Sequence, residues 1–390
     1  MAQSITAAAL PLTTTSTTVA QATAAATPSP DAFEMGGFTI WGVDGDKVTA
    51  ADFAYDAAAK TLTVSTDKHF AIRNTDQATV SSGANAGRIA NPVDTCLVIP
   101  AGRDAFMIME GVGIRAPQPI DIKPKAALTI ILGDGTKNEI VATDFPKAAL
   151  HCPTGASLTI DDAVLNRTAD DRHIVPEGGK VPFGCTLANG TSVAAGDPLS
   201  RLESNDPGEL YAWTVDNGNA AVIGSDYIFQ GQFCDYLPPR SGEPGGSMTF
   251  DGGIILATSA GNVDTFSNFG AAIGGGGSAD GTGPNEWITV NGGSITAQGA
   301  GHGAGIGAGA FGASGNIRIN GGYVKSFGGI HASGFGGACN AQDSSDFQIV
   351  LTGGTLLPTG ALGYDFIKDV GAPNLQVTVT GGSLGNERGV

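Results

Sequence analysis

Residues 287–296 read Trp-Ile-Thr-Val-Asn-Gly-Gly-Ser-Ile-Thr, and this phrase decides the fold. Apolar and polar residues alternate on each side of the glycine pair, which predicts two short strands. The glycines predict a corner, where the backbone adopts positive φ or passes too close to a neighbour for a Cβ. Because one such unit cannot bury its apolar side alone, the phrase predicts that similar units stack on it.

The phrase recurs through the C-terminal part of the chain. The first glycines of the pairs are Gly252, Gly292, Gly321, Gly353 and Gly381, so the steps are 40, 29, 32 and 28 residues. A period of this size indicates stacked repeats, with successive coils paired about 4.8 Å apart. We therefore predict an all-β fold, a right-handed parallel β-helix (solenoid) with an N-terminal extended arm and a loop-rich insertion.

Glycine- and alanine-rich segments separate the strand phrases, and each contains one large apolar residue: Ile273, Ile306 or Phe335. We predict a flat side of the coil on which a single side chain per turn enters the core. The alternative is a glycine-rich linker, but linker composition gives no reason for an isoleucine at a repeating position.

A polar residue stands before each glycine pair, and the first three are Asp251, Asn291 and Asn320. Stacking would place these side chains in line, one per coil. We predict a hydrogen-bonded ladder between coils, which is a structural role.

The chain divides into five parts: an arm, flexible or docking (1–30), an N-terminal β-rich cap (31–96), β-helix coils (97–183), an aromatic-rich insertion (184–246) and glycine-rich β-helix coils (247–390). Prolines mark the corners of the first set of coils, since proline fixes φ and lacks the N–H that a central strand position needs. The arm is rich in Ala, Thr and Ser and contains no Lys or Arg, so the basic region of a secretory signal is missing.

Composition argues against several classes of partner. The 390 residues carry a net charge of −17, which disfavours nucleic acid and anionic lipid, because both need clustered Lys and Arg. No apolar run approaches the roughly 18 residues of a membrane helix. The five cysteines are widely spaced without a Cys-x-x-Cys motif, so we predict small buried side chains, no metal site and no cofactor.

The insertion holds the candidate binding residues, which combine aromatic rings with acidic and basic side chains: Tyr211, Trp213, Asp216, Tyr227, Tyr236 and Arg240. Insertions on solenoids lie on one face, often the binding face. Rings with polar neighbours suit stacking on a sugar and hydrogen bonding to its hydroxyls. The alternative is a small packed sub-lobe or a subunit contact with its own aromatic core.

The phrases at 287–297 and 303–309 resemble the glycine-rich β-helical repeat proteins of gut bacteria and their phages, often described as carbohydrate-binding-domain proteins. Residues 147–160 resemble the segment that precedes the repeats in that family. The resemblance covers roughly 95–183 and 247–390. It implies the β-helix fold and surface glycans as ligands, but the shared residues are corners and core rather than a site.

Gly301-His302-Gly303 resembles the Gly-His-Gly motif of polygalacturonases, which are right-handed β-helices. Those enzymes need paired acid and base carboxylates, and the preceding coil here has no paired aspartates. The segment at 303–307 also parallels 270–274, where no histidine occurs. We therefore predict no catalytic residue and no enzymatic activity, with a polysaccharide-degrading β-helix enzyme as the least supported alternative.

Together these features predict a non-enzymatic, surface-exposed structural or attachment protein. The expected setting is the virion surface of a phage, as a decoration or fibre component that binds glycans and docks to other virion proteins through residues 1–30. The alternative is an extracellular, bacterial cell-surface adhesin with a carbohydrate-binding β-helix. A homo-oligomer is expected, a trimer by analogy with fibres.

Overall fold

The computed structural model describes residues 31–76, 88–162, 183–186, 192–197, 207–215, 218–227, 242–259, 269–329, 332–339, 347–360 and 376–385. These residues form β-strands and one 3-10 turn (Ala50–Asp52), and they contain no α-helix. The all-β part of the expected fold is therefore confirmed.

Eleven strands form sheet 1, in spatial order: β1 (Phe33–Met35), β2 (Phe38–Gly42), β5 (His69–Asn74), β7 (Asp104–Met109), β10 (Ala127–Leu132), β13 (Ser157–Asp162), β18 (Ser247–Phe250), β21 (Trp287–Val290), β24 (Asn316–Ile319), β27 (Gln348–Leu351) and β29 (Gln376–Val379). Eight strands form sheet 2: β8 (Gly113–Ala116), β11 (Lys137–Ala142), β16 (Glu209–Thr214), β19 (Ile254–Ser259), β22 (Ser294–Gln298), β25 (Tyr323–Gly328), β28 (Thr355–Gly360) and β30 (Ser383–Leu384).

Nine strands form sheet 3: β3 (Phe53–Asp56), β4 (Thr61–Val64), β6 (Cys96–Ile99), β9 (Ile120–Ile122), β12 (Leu150–His151), β17 (Ile223–Gly224), β20 (Ile273–Gly274), β23 (Ile306–Gly307) and β26 (Phe335–Gly336). A separate antiparallel pair consists of β14 (Cys185–Thr186) and β15 (Ser192–Val193). From β7 to β28 the chain visits sheets 1, 2 and 3 in that rotation, apart from the separate pair β14–β15, and each strand pairs in parallel with its counterpart in the next turn. Antiparallel pairs β1–β2 and β3–β4 lie at the N-terminal end of the sheets.

Inward-facing side chains line up from turn to turn and form one core. One row of sheet 1 is Leu128, Leu158, Met248, Ile288, Ile317 and Ile349, all in register and all buried. Sheet 3 adds Ile273, Ile306 and Phe335, which are fully buried and pair in line. The prediction that one large side chain per glycine-rich segment enters the core is confirmed.

Four strands lie within the range 184–246, which we predicted as an insertion, and β14 and β15 pair only with each other. β16 pairs with β11 and β19, and β17 pairs with β12 and β20, so both belong to the main sheets. The physical reason is burial, since Leu210, Ala212 and Ile223 contribute side chains to the shared core.

The glycine pair at the corner between sheets 1 and 2 serves two purposes, one for each glycine. A Cβ on Gly321 would lie 2.1 Å from the backbone oxygen of Asn291 in the previous turn, closer than any side chain tolerates. Gly322 adopts φ of +79°, a conformation that disfavours residues with a Cβ. The corner therefore needs glycine at both positions.

The predicted ladder beside this corner is confirmed and continues for one more turn. Asn291 Nδ2 donates to Asp251 Oδ1 at 2.7 Å, and Asn320 Nδ2 donates to Asn291 Oδ1 at 2.8 Å. Thr352 Oγ1 then donates to Asn320 Oδ1 at 2.7 Å. Each side chain accepts a hydrogen bond from the side chain in the following turn, so the ladder stabilises the stacking of four consecutive turns.

Gly321→Ala should lower the free energy of unfolding by about 3 kcal/mol, because the added methyl group forces the two turns apart. Urea unfolding followed by circular dichroism measures the change. Ser294→Ala is the control: its side chain is half-buried on the outward side just after a neighbouring glycine pair, and we expect less than about 0.5 kcal/mol. Equal unfolding midpoints for the two variants would show that the corner is not tightly packed.

Candidate functional site

The outward side of sheet 2 carries the two candidate aromatic residues that the structure brings together. In β16, Leu210, Ala212 and Thr214 are buried and face the core, so the alternate residues point away from it. Tyr211 and Trp213 therefore project side by side from the outward surface. Both rings are half-buried.

Register extends this surface across the following strands. Tyr211 aligns in turn with Leu256, Thr296, Lys325 and Leu357, while Trp213 aligns with Thr258, Gln298 and Phe327. The third row begins at Glu209 and runs through Ile254 and Ser294 to Tyr323, which is 40% exposed. We call these outward residues of β16 to β28 the sheet-2 face; it mixes apolar and aromatic side chains with hydroxyl and amide groups.

The Tyr211 hydroxyl is held in place by its neighbours. It donates to Glu209 Oε2 at 2.7 Å, and the same oxygen lies 3.1 Å from Lys137 Nζ. Burial, followed by the hydrogen bond to Glu209, raises the pKa of Tyr211 to about 12. The phenol therefore stays protonated, and its orientation is set before any ligand arrives.

The Trp213 ring is positioned from one side by Arg88. The guanidinium carbon lies 4.8 Å from the ring centroid, and Arg88 Nε lies 2.7 Å from Glu139 Oε1. Glu139 Oε2 accepts a hydrogen bond from the Ile89 backbone at 2.7 Å. The indole Nε1 is buried and has no hydrogen-bond partner within the described part of the chain. These contacts order the ring at one border of the sheet-2 face.

Tyr227 lies elsewhere and is only 6% exposed. Its backbone N–H donates to the Pro146 carbonyl at 2.9 Å, and its ring meets Phe145 edge-on at 6.0 Å. It follows β17 in sheet 3, so it does not share a surface with Tyr211 and Trp213. The remaining candidates, Asp216, Tyr236 and Arg240, lie outside the described residues.

Several residues of the sheet-2 face did not emerge from the sequence as site residues, among them Leu256, Tyr323 and Phe327. The sequence does contain a signal for these residues. Each places an apolar side chain at a position where the alternating strand pattern expects a polar one. Recognising this requires the register between strands, since only then do isolated apolar residues form one surface.

No protein-family model, curated protein or solved structure matches this chain. The four described cysteines are free thiols, and Cys234 lies outside the described residues. Within the described ranges, no group of three or more His, Cys, Asp or Glu side chains is arranged to hold a metal ion. A helix long and apolar enough to cross a membrane is likewise missing from those ranges.

His302, the residue of the Gly-His-Gly segment, is 4% exposed. Its ring stacks on Phe269 with centroids 5.9 Å apart, and its backbone carbonyl accepts a hydrogen bond from Cys339 at 3.2 Å. A Cβ on the adjacent Gly303 would lie 1.9 Å from the Gly270 oxygen. The segment is thus packed between neighbouring turns, where a polymeric substrate has no access to the imidazole.

A charged cluster occupies the outward side of sheet 3, around His151. Its other members come from separate segments: Asp121, Lys123, Lys147, Asp226 and Glu243. His151 Nδ1 lies 2.8 Å from Asp121 Oδ1, and Nε2 lies 3.5 Å from Glu243 Oε2 and 3.8 Å from Asp226 Oδ2. With His151 protonated, three carboxylates face three cations, so the cluster is electrically balanced.

This environment changes the titration of the imidazole. Burial disfavours the charged form, but the hydrogen bond with Asp121 and the nearby carboxylates of Glu243 and Asp226 outweigh it and raise the pKa of His151 to about 9. Burial also opposes the charge of Asp121, yet the hydrogen bonds from His151 and Lys123 lower the pKa of Asp121 below its ordinary value. The cluster therefore ties together segments far apart in sequence rather than holding a free acid or base.

His151→Gln should remove a pH-dependent part of the stability. The folded-state pKa of about 9 exceeds the ordinary value of 6.5, so His151 stabilises fully below pH 6.5 and loses this effect as the pH rises through 9. The shift corresponds to on the order of 3 kcal/mol. Urea unfolding of both proteins at pH 6 and pH 9.5 measures it, and the stability of the wild type should fall further between these values. Identical pH dependences would contradict the role of His151.

Proposed function

We propose that the three sheets close into a right-handed parallel β-helix. Two observations support this proposal: the fixed rotation of strands through sheets 1, 2 and 3, and the core rows that stay in register from turn to turn. A right-handed connection between parallel strands is by far the commonest arrangement in proteins. In such a rod the outward side chains are the ones available to partners.

The function that this geometry supports best is that of a non-enzymatic, surface-exposed attachment protein that binds glycans on the sheet-2 face. The alignment of Tyr211 and Trp213 with Leu256, Thr296 and Gln298 carries the proposal. Aromatic and aliphatic side chains suit the C–H surface of a sugar ring, and nearby hydroxyl and amide groups suit its hydroxyls.

The repeat also matches a polymer better than a single sugar. Neighbouring strands lie about 4.8 Å apart, so a linear glycan crossing the strands meets comparable side chains at regular intervals. The sheet is rigid, which keeps the loss of conformational entropy on binding small. An extended, preformed surface of this kind favours attachment to a polysaccharide.

We place the protein on the virion surface of a phage, as a decoration or fibre component, with a bacterial cell-surface adhesin as the alternative. The composition and the buried state of His302 support a non-enzymatic surface role. In this proposal residues 1–30 dock to a neighbouring protein, while the β-helix projects and engages glycans, as a single chain or as a homo-oligomer.

Trp213→Ala should weaken binding to a glycan identified on an array by about tenfold or more, because a buried aromatic contact dominates such interfaces. Thr296→Arg should weaken it as well, since the long side chain covers the centre of the sheet-2 face and removes no core contact. Tyr55→Ala is the control, because Tyr55 is 39% exposed on another sheet.

Unchanged glycan binding in both face variants would exclude the sheet-2 face as the glycan site. A change in oligomeric state instead, seen by light scattering, would identify the face as a subunit contact. Thermal unfolding of each variant verifies that the fold is retained.

Deleting residues 1–30 should abolish incorporation into particles while leaving the thermal unfolding of the sheets unchanged. The reason is that residues 1–30 precede the first strand, β1, and the described core is built by residues from β1 onward. Quantitative immunoblotting of purified particles measures incorporation. Normal incorporation of the shortened protein would rule out a docking arm.

A further inference from the structure

The outward side of sheet 1 carries an arginine held against an aromatic ring. Arg318 projects from β24, half-buried, and its guanidinium carbon lies 4.1 Å from the centroid of the Trp287 ring on the neighbouring strand. Contact with a ring face leaves the N–H donors of a guanidinium available, because none of them points at an acceptor there. Trp287 therefore orients the group and leaves its hydrogen-bonding capacity unused.

Arg318 has no salt bridge and no hydrogen-bond partner among the residues that the structure describes. Its neighbours in register are neutral, Thr289 on one side and Val350 on the other. The outward positions two residues before and after Arg318 are Asn316 and Asn320. Their side-chain amides are already hydrogen-bonded, to the Pro284 carbonyl and to Asn291 Oδ1. An oriented cation with no counter-ion among the described residues, in a chain of net charge −17, suits an anionic ligand.

The described residues hold two further arginine–tryptophan contacts, Arg73 with Trp41 at 5.7 Å and Arg88 with Trp213 at 4.8 Å, and the second gives a direct comparison. Arg88 lies over Trp213, but its Nε binds the buried carboxylate of Glu139 at 2.7 Å. That pair is electrically complete within the protein. Arg318 has the same stacking contact, but no carboxylate among the described residues pairs with it, so a ligand carboxylate would take the place that Glu139 takes for Arg88.

A row of hydroxyl groups leads to Arg318. Thr129, Thr159, Thr249 and Thr289 align on successive strands of sheet 1, and the next position in this row is Arg318. None of these four hydroxyls makes a hydrogen bond within the described ranges. Hydroxyl acceptors and donors beside a guanidinium suit a polyhydroxylated chain that also carries an acidic group.

We propose that Arg318 binds the carboxylate of an acidic sugar, so that sheet 1 recognises a uronic-acid polysaccharide. The planar guanidinium pairs with a carboxylate through two parallel hydrogen bonds, and Trp287 holds it in that orientation. The threonine row contacts the sugar hydroxyls. This inference rests on the proposed glycan binding for the class of ligand, but it uses a different sheet and different residues.

Binding of the full chain to alginate, a polymer of uronic acids, tests the proposal by isothermal titration calorimetry in calcium-free buffer. Arg318→Gln should weaken binding by about tenfold or more, since charge-assisted hydrogen bonds are lost. Arg318→Lys should also weaken it several-fold, because an ammonium keeps the charge but lacks the planar fork. Lys47→Gln, at an exposed position after β2 near the N-terminal end of the sheets, removes the same charge and should leave binding unchanged.

Equal losses in Arg318→Gln and Lys47→Gln would overturn the proposal, because they would indicate binding to overall charge. Tighter binding to polyglutamate than to alginate would overturn it in favour of an acidic peptide. Failure of the wild type to bind alginate would also overturn it. Trp213→Ala separates the two proposals, since it should leave alginate binding intact, whereas Arg318→Gln should leave binding at the sheet-2 face intact.

Discussion

The structure depends on how closely successive turns approach each other at the corner between sheets 1 and 2. There a Cβ on Gly321 would lie only 2.1 Å from the backbone oxygen of Asn291. Only glycine allows this approach, and the approach sets the register in which Ile288 meets Ile317 and Asn291 meets Asn320. The continuous core and the polar ladder both follow from that register.

In this register, inward and outward positions differ in the side chains that they require. Inward positions need apolar side chains of similar size at every turn, because the core has no room for voids. Outward positions carry no such requirement, so they diverge: rings and aliphatic groups on sheet 2, a threonine row with Arg318 on sheet 1, and the charged cluster around His151 on sheet 3. One scaffold thus presents three chemically distinct surfaces.

The arginine–tryptophan contacts of Arg88 and Arg318 differ in whether a carboxylate of the protein completes them. Where Glu139 completes the pair, Arg88 orders the Trp213 ring and is satisfied within the protein. Arg318 stacks on Trp287 in the same way, but no carboxylate among the described residues pairs with it, so its N–H donors remain unused. The His151 cluster shows the opposite condition, because three carboxylates and three cations balance within it. Charge balance is therefore the feature that distinguishes the His151 cluster from the surface around Arg318 that we propose binds a ligand.

The sequence by itself determined the repeat, the glycine corners, the ladder at Asp251, Asn291 and Asn320, and the burial of Ile273 and Ile306, because these depend on local pattern and period. The tertiary structure alone decided which outward residues are neighbours. Tyr211 and Trp213 share a surface with Leu256, whereas Tyr227 is buried beside Phe145. Pairing between strands distant in sequence sets these contacts, and β16 lies outside the glycine-pair repeat, so no local pattern shows that it pairs with β11 and β19.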